Sequence, residues 1–114
     1  MLAYVGGCMA WGAMKAHVLG AHAAGPFPVG LGEIAEELQY RWGGERLLAP
    51  KLGLSPEVAR IAQAAFFGLV HPGHEIDAAL GGYVYSRAYD DHGLLGAVAA
   101  HLAHNVGIWL GSTG

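Results

Sequence analysis

Apolar residues occupy this chain in long blocks parted by short polar or glycine-proline breaks. From Leu2 to about Gly20 nearly every position is apolar or small, with Lys15 and His17 near one end. The strict alternation of a half-buried strand is absent, and runs of roughly 15 residues or more favour helices. Gly25-Pro26-Phe27-Pro28 interrupts regular helix, so a break is predicted over 22–32. A second helix is predicted from Leu31 to about Leu48, carrying Glu33, Glu36, Glu37, Arg41, Glu45 and Arg46. Residues 49–54 read as a loop. Ser55-Pro56-Glu57 then has the form of a helix start: an N-cap, a proline at the first helical position and an acid in the first turn. That third helix should run to about His71, where Pro72-Gly73 stops it. A fourth covers Ile76 to Tyr89, Asp90 to Gly93 forms a turn, and a last helix runs from Leu94 to about Leu110 before a frayed end at 111–114.

The pattern therefore predicts an all-α fold, a multi-pass bundle of about five helical segments around a polar cavity, within one domain spanning 1–114. Residues 1–25 form a leading membrane helix and 31–111 a core. Gly6, Gly7, Ala10, Gly12 and Ala13 would let a second helix approach the first closely. Composition strengthens the membrane reading. The chain is 54% hydrophobic and 13% charged, against roughly 25% charged in an ordinary soluble domain. The first segment lacks the early basic residues of a cleaved signal and reads as a retained helix. A net charge of −3 offers no basic stripe for nucleic acid. One cysteine, Cys8, excludes a disulfide framework within the chain.

Three short patterns carry the candidate chemistry. Glu36-Glu37-Leu38-Gln39-Tyr40-Arg41 has the form EExxxR, Phe67 to His71 the form FxxxH, and His101 to Asn105 the form HxxxN. His101 and Asn105 are four apart and project from one helix face, as do Glu37 and Arg41. Polar groups on apolar helices must find partners, since each one left unsatisfied in hydrocarbon costs several kcal/mol. A convergent wet site follows. His104, about 100° around from Asn105, reads as structural or interfacial.

The ordered set resembles the CPBP family of CAAX proteases and bacteriocin-processing enzymes, also called Abi or type II CAAX prenyl endopeptidase-like. The likeness extends through Gly82-Tyr83-Val84-Tyr85-Ser86-Arg87 and Leu94 to His101, covering roughly 31–111. It implies an integral, multi-pass protein of a prokaryotic-type cell membrane, acting on a membrane-associated peptide or a prenylated C-terminal tail. By motif position, Glu36 would be the base that activates water and His71 would hold or polarise that water. His101 and Asn105 would form the oxyanion site, while Glu37 and Arg41 would support them. A metal-free mechanism is favoured. The alternative is zinc on Glu36, His71 and His101, a ligand set known from catalytic zinc sites, although no HExxH helix exists here. Two other readings of function are a catalytically silent binding or bacteriocin-immunity protein using the same cavity, and a membrane metal or cofactor binder. Members of the family usually carry more helices ahead of the first motif. A minimal form, a truncated core and a core completed by a homo-oligomer or another partner all stay open.

Overall fold

A computed structural model describes residues 1–19 and 31–113, apart from the side chains of Leu19 and Thr113. Among these residues all regular structure is helical. Helix α1 spans Leu2–Leu19 and α2 spans Leu31–Glu37. The chain then continues without interruption through a π-helical segment, Leu38–Leu48, into a short α3, Ala49–Lys51. Helix α4 covers Pro56–Leu69, and α5 covers Glu75–Thr113 with a non-helical residue at Gly93. The predicted break at 22–30 lies outside the described residues, while Leu31 and Gly32 belong to α2.

Four boundaries differ from the sequence expectation. The second helix widens after Glu37 to i→i+5 bonding, seen where the Ala49 N–H donates to the Gly44 carbonyl. The loop expected at 49–54 shrinks to a turn after Lys51, with Gly53 at φ +76°. Helix α4 stops at Leu69, so His71 stands just beyond its end. Finally, the turn expected at Asp90–Gly93 reduces to Gly93 alone, and the C-terminal residues 111–113 remain helical.

Gly93 has φ 72° and ψ −165°, a conformation essentially reserved for glycine. One such residue suffices to reverse the helix. Tyr85 and His101 are sixteen residues apart, about 24 Å along a straight helix, yet their rings stack with centroids 4.5 Å apart. The two halves of α5 thus fold back on each other, as the two predicted helices require.

Helix α1 packs on the second half of α5 almost backbone to backbone. A Cβ on Gly12 would run into the His104 carbonyl, and one on Gly107 into the Met9 carbonyl. Gly111 meets Ala13 and Ala16 in the same way. This is the small-residue spacing by which membrane helices approach. Helix α1 also touches the first half of α5 through a part-buried ion pair between Lys15 and Asp77, with Trp11 Nε1 donating to Asp77 at 3.1 Å. Helix α4 starts on Ser55, whose hydroxyl accepts from the Val58 N–H at 3.3 Å. It meets the first half of α5 where Gly68 faces Ala79 and Gly82 faces Phe67.

The distribution of side chains is inverted relative to a soluble domain. Apart from Phe67 and Tyr85, the buried apolar residues are alanines, packed with buried Lys15, Glu37, Arg41, Arg60, Ser86 and His101. Leucines, isoleucines, valines and tryptophans such as Leu38, Trp42, Ile61, Leu69, Ile76 and Leu95 are exposed. Contiguous apolar exposure of this kind marks a surface that faces lipid or a partner. Among the described residues one helical run, Glu75–Ser112, which reverses at Gly93, is long and apolar enough by length and composition to cross a membrane, and a third of its most apolar stretch is buried. Lys15 and His17 dilute α1, which was expected to span as well.

Candidate active site

The site forms where α2, the π segment, the end of α4 and the second half of α5 meet. Its centre is the His101 imidazole, 6% exposed. Nδ1 of His101 lies 2.8 Å from Glu37 Oε2. An ionised carboxylate only accepts, so Nδ1 carries the proton. The other nitrogen, Nε2, faces Glu36 Oε2 at 3.6 Å. The consecutive acids thus grip one ring from its two ends.

Glu37 and Arg41 are both completely buried. Arg41 Nε stands 3.0 Å from Glu37 Oε1 and 3.9 Å from Glu45 Oε2. Among the described residues the guanidinium nitrogens make no aligned hydrogen bond, so the attraction is chiefly charge on charge. The guanidinium also sits 5.7 Å from the Phe67 ring centre, within reach of a cation–π interaction. Charge neutralisation is what permits Glu37 to stay buried. The expected supporting pair is therefore present, and it is anchored to His101.

Glu36 differs from its neighbour. Its side chain is 40% exposed, yet Oε2 is buried and has no hydrogen-bond partner among the described residues. One face of the carboxylate looks outward while one oxygen points to the imidazole.

Phe67, at the end of α4, organises the aromatic surroundings. Its ring lies 5.9 Å from His101, 5.3 Å from Tyr40 and 4.3 Å from His71. His71 is held by a bond from Nδ1 to the Phe67 carbonyl, 2.6 Å. That bond places its proton on Nδ1 and leaves Nε2 as an acceptor when the ring is neutral. His71 reaches the cluster by way of Phe67, with no direct contact to Glu36 or His101. Tyr85 stacks flat on the other face of His101, at an interplanar angle of 11°.

Asn105, one turn beyond His101, donates from Nδ2 to Glu33 Oε2 at 3.2 Å. Glu33 precedes Glu36 by three positions, and the two acids line one face of α2 opposite the His101–Asn105 face of α5. Motif reading missed Glu33, which counted only towards the charge load of its helix. The signal available was its i, i+3 spacing to Glu36.

Behind Arg41 the polar residues continue. Glu45 accepts from the Ser86 hydroxyl at 2.7 Å, and burial pushes its carboxyl up despite that bond and the nearby arginines. Arg60 Nε donates to Ser86 at 3.1 Å and also pairs with Glu57 and Asp90. A buried chain of charge therefore runs from His101 towards the exposed Arg46–Asp90 pair.

Among the described residues no group of three His, Cys, Asp or Glu side chains is placed to hold a metal ion. Glu36 and His101 approach each other, but His71 does not close a ligand triangle with them. A cavity of about 240 Å³ lies on the other side of Tyr85, between α1 and α5, lined by residues including Tyr4, Cys8, Trp11, Val84 and His104. It is distinct from the motif cluster. His104 faces it, in keeping with an interfacial role.

With this geometry in place, comparison with known proteins identifies the class. The family model described as type II CAAX prenyl endopeptidase Rce1-like matches residues 19–107. The chain belongs to that family, which is one of membrane-embedded proteases. No curated protein and no solved structure matches it.

Proposed function

We propose that the chain is an intramembrane endopeptidase that hydrolyses a membrane-associated peptide or a prenylated C-terminal tail, within a multi-pass bundle. The observation that carries this reading is the grip of two carboxylates on His101. A half-exposed carboxylate faces an imidazole nitrogen across 3.6 Å, beyond a direct hydrogen bond, with its exposed side free to take up a water.

In this mechanism Glu36 takes a proton from that water as its oxygen attacks the scissile carbonyl. Charge develops on the carbonyl oxygen. When both ring nitrogens carry a proton, His101 donates from Nε2, and Asn105 donates from Nδ2, so that the oxyanion is stabilised where it forms. Glu36 then delivers its proton to the leaving amine as the C–N bond breaks. Glu37 fixes the His101 ring, and Arg41 pairs with Glu37. His71, tied to the Phe67 carbonyl, holds the water through its free Nε2. The residues supply base, donors and orientation without a metal.

The test is cleavage of a prenylated peptide by the purified protein in lipid, comparing wild type with Glu36→Gln. Loss of a general base removes on the order of 10³-fold in rate, and Gln keeps the volume, so helical content and thermal stability should be unchanged. Turnover undiminished in the variant would remove Glu36 from the mechanism. A chelator should leave wild-type turnover as it was.

A further inference from the structure

We propose that Glu33 is a positioning residue that sets which end of the Asn105 amide faces the substrate. The inference rests on the reading of Asn105 as an oxyanion donor. An asparagine side chain carries an NH₂ at one end and a carbonyl of nearly the same shape at the other. Only the NH₂ end stabilises an oxyanion; the carbonyl end would repel it. Something must therefore choose between the two.

Glu33 is placed to choose. Its Oε2 lies 3.2 Å from Asn105 Nδ2, and a carboxylate accepts but cannot donate. A flipped amide would set two acceptors against each other, so the flipped form is disfavoured. Asn105 Nδ2 has two hydrogens. The bond to Glu33 uses one and leaves the second for substrate.

The spacing makes the two contacts one device. Glu33 and Glu36 are one turn apart on α2, and Asn105 and His101 are one turn apart on α5. The helices run in opposite directions, so Glu33 meets Asn105 while Glu36 meets His101. The acid one turn ahead of the motif thus serves the second oxyanion donor as Glu37 serves the first. Glu33 is half-buried, where its hydrogen bond is less exposed to competing water.

The experiment is a double-mutant cycle between Glu33 and Asn105, read as kcat and KM in lipid. Glu33→Ala should lower kcat on the order of tenfold with KM little changed, because a donor is misaligned and not removed. Glu33→Gln keeps an acceptor without the charge and should recover to within about threefold of wild type. In an Asn105→Ala background Glu33→Ala should cost nothing further. An equal loss in both backgrounds, or a wild-type kcat for Glu33→Ala, overturns the inference.

A second readout needs no turnover. Solvent exchange of the Asn105 side-chain amide protons, followed by NMR, should accelerate in Glu33→Ala and stay slow in Glu33→Gln. Unchanged exchange in Glu33→Ala overturns the positioning role even if no peptide is cleaved. An Asn105→Ala variant with full kcat would instead sink the oxyanion reading, while the exchange data would still decide whether Glu33 holds the amide.

Discussion

The second half of α5 is packed on two sides by opposite means. Towards α1 it presents Gly107 and Gly111, and the backbones touch because almost no side chain intervenes. Towards α2 it presents His101 and Asn105, and the helices are held by buried acids that reach across. The seam gains from close van der Waals contact. The site spends stability on desolvated charge, recovered only if every partner is present. A seam of that kind is sensitive to changes of size, whereas the site is sensitive to changes that leave a buried charge unpaired. The site is thus the place where a single substitution should separate folding from function.

The largest expected effect on stability is at Arg41. Removing it leaves Glu37, 0% exposed, without the guanidinium that neutralises it. Breaking one side of a buried pair costs about 3–5 kcal/mol, and Arg41→Ala should show a loss of that order in reversible unfolding in detergent. Replacing both members with apolar residues, Glu37→Leu with Arg41→Met, should restore most of the stability. Activity should not return, because His101 Nδ1 would have lost its acceptor. Recovery of turnover in the double variant would mean that the pair is structural filler and that the ring needs no anchor.

The two regions were not equally legible beforehand. The all-helical nature was plain from the long apolar blocks, and the start of α4 from Ser55-Pro56-Glu57. Gly12 and Ala13 were visible as close-packing residues, but their partners Gly107 and Gly111 were not, since pairing between distant segments leaves no local trace. Gly6 and Gly7 were expected in the same role and, among the described residues, meet no close neighbour. In the site, spacing alone put His101 with Asn105 and Glu37 with Arg41. It did not foresee both acids on one imidazole: the hairpin at Gly93 and the i→i+5 widening after Glu37 decide that, and neither has a strong local signature. Glu33 was hidden for another reason. It lies ahead of the motif, and a lone acid on a charged helix reads as solvated. His71 was legible as a motif position, but its link to the cluster through Phe67 was not, since that depends on how the end of α4 packs.

Next in size is a change confined to the seam. Gly107→Leu places a branched side chain where the Met9 carbonyl and Ala13 already lie. Overpacking typically costs about 1–3 kcal/mol, here by levering α1 away from α5. The ion pair between Lys15 and Asp77 should loosen with it, so a crosslink between cysteines on the two helices should form less readily. His101 faces away from the seam, and kcat in the fraction that remains folded should fall by less than threefold, a shift of about 0.6 kcal/mol. A collapse of kcat with the helices still crosslinked would show that the two faces of α5 are mechanically one.

The smallest effect asks how far the site depends on a distant helix end. Ser55 caps α4, accepting the Val58 N–H with its hydroxyl, and Ser55→Ala should cost about 1 kcal/mol. Helix α4 reaches the His101 ring at its other end, through Phe67 and the tethered His71, while Glu57 and Arg60 near its start join the charge chain behind Arg41. If the contacts of Phe67 with Gly82 and the His101 ring hold that end in place, fraying at residues 55–58 should lower the unfolding midpoint and leave kcat and KM unchanged. If instead α4 moves as a rigid rod, the lost cap should loosen Phe67, and the rate should fall in step with stability. Measuring both quantities on the one variant separates these cases, because the charged face of α5 would then prove to rest either on its own ion pairs or on the packing of its neighbour.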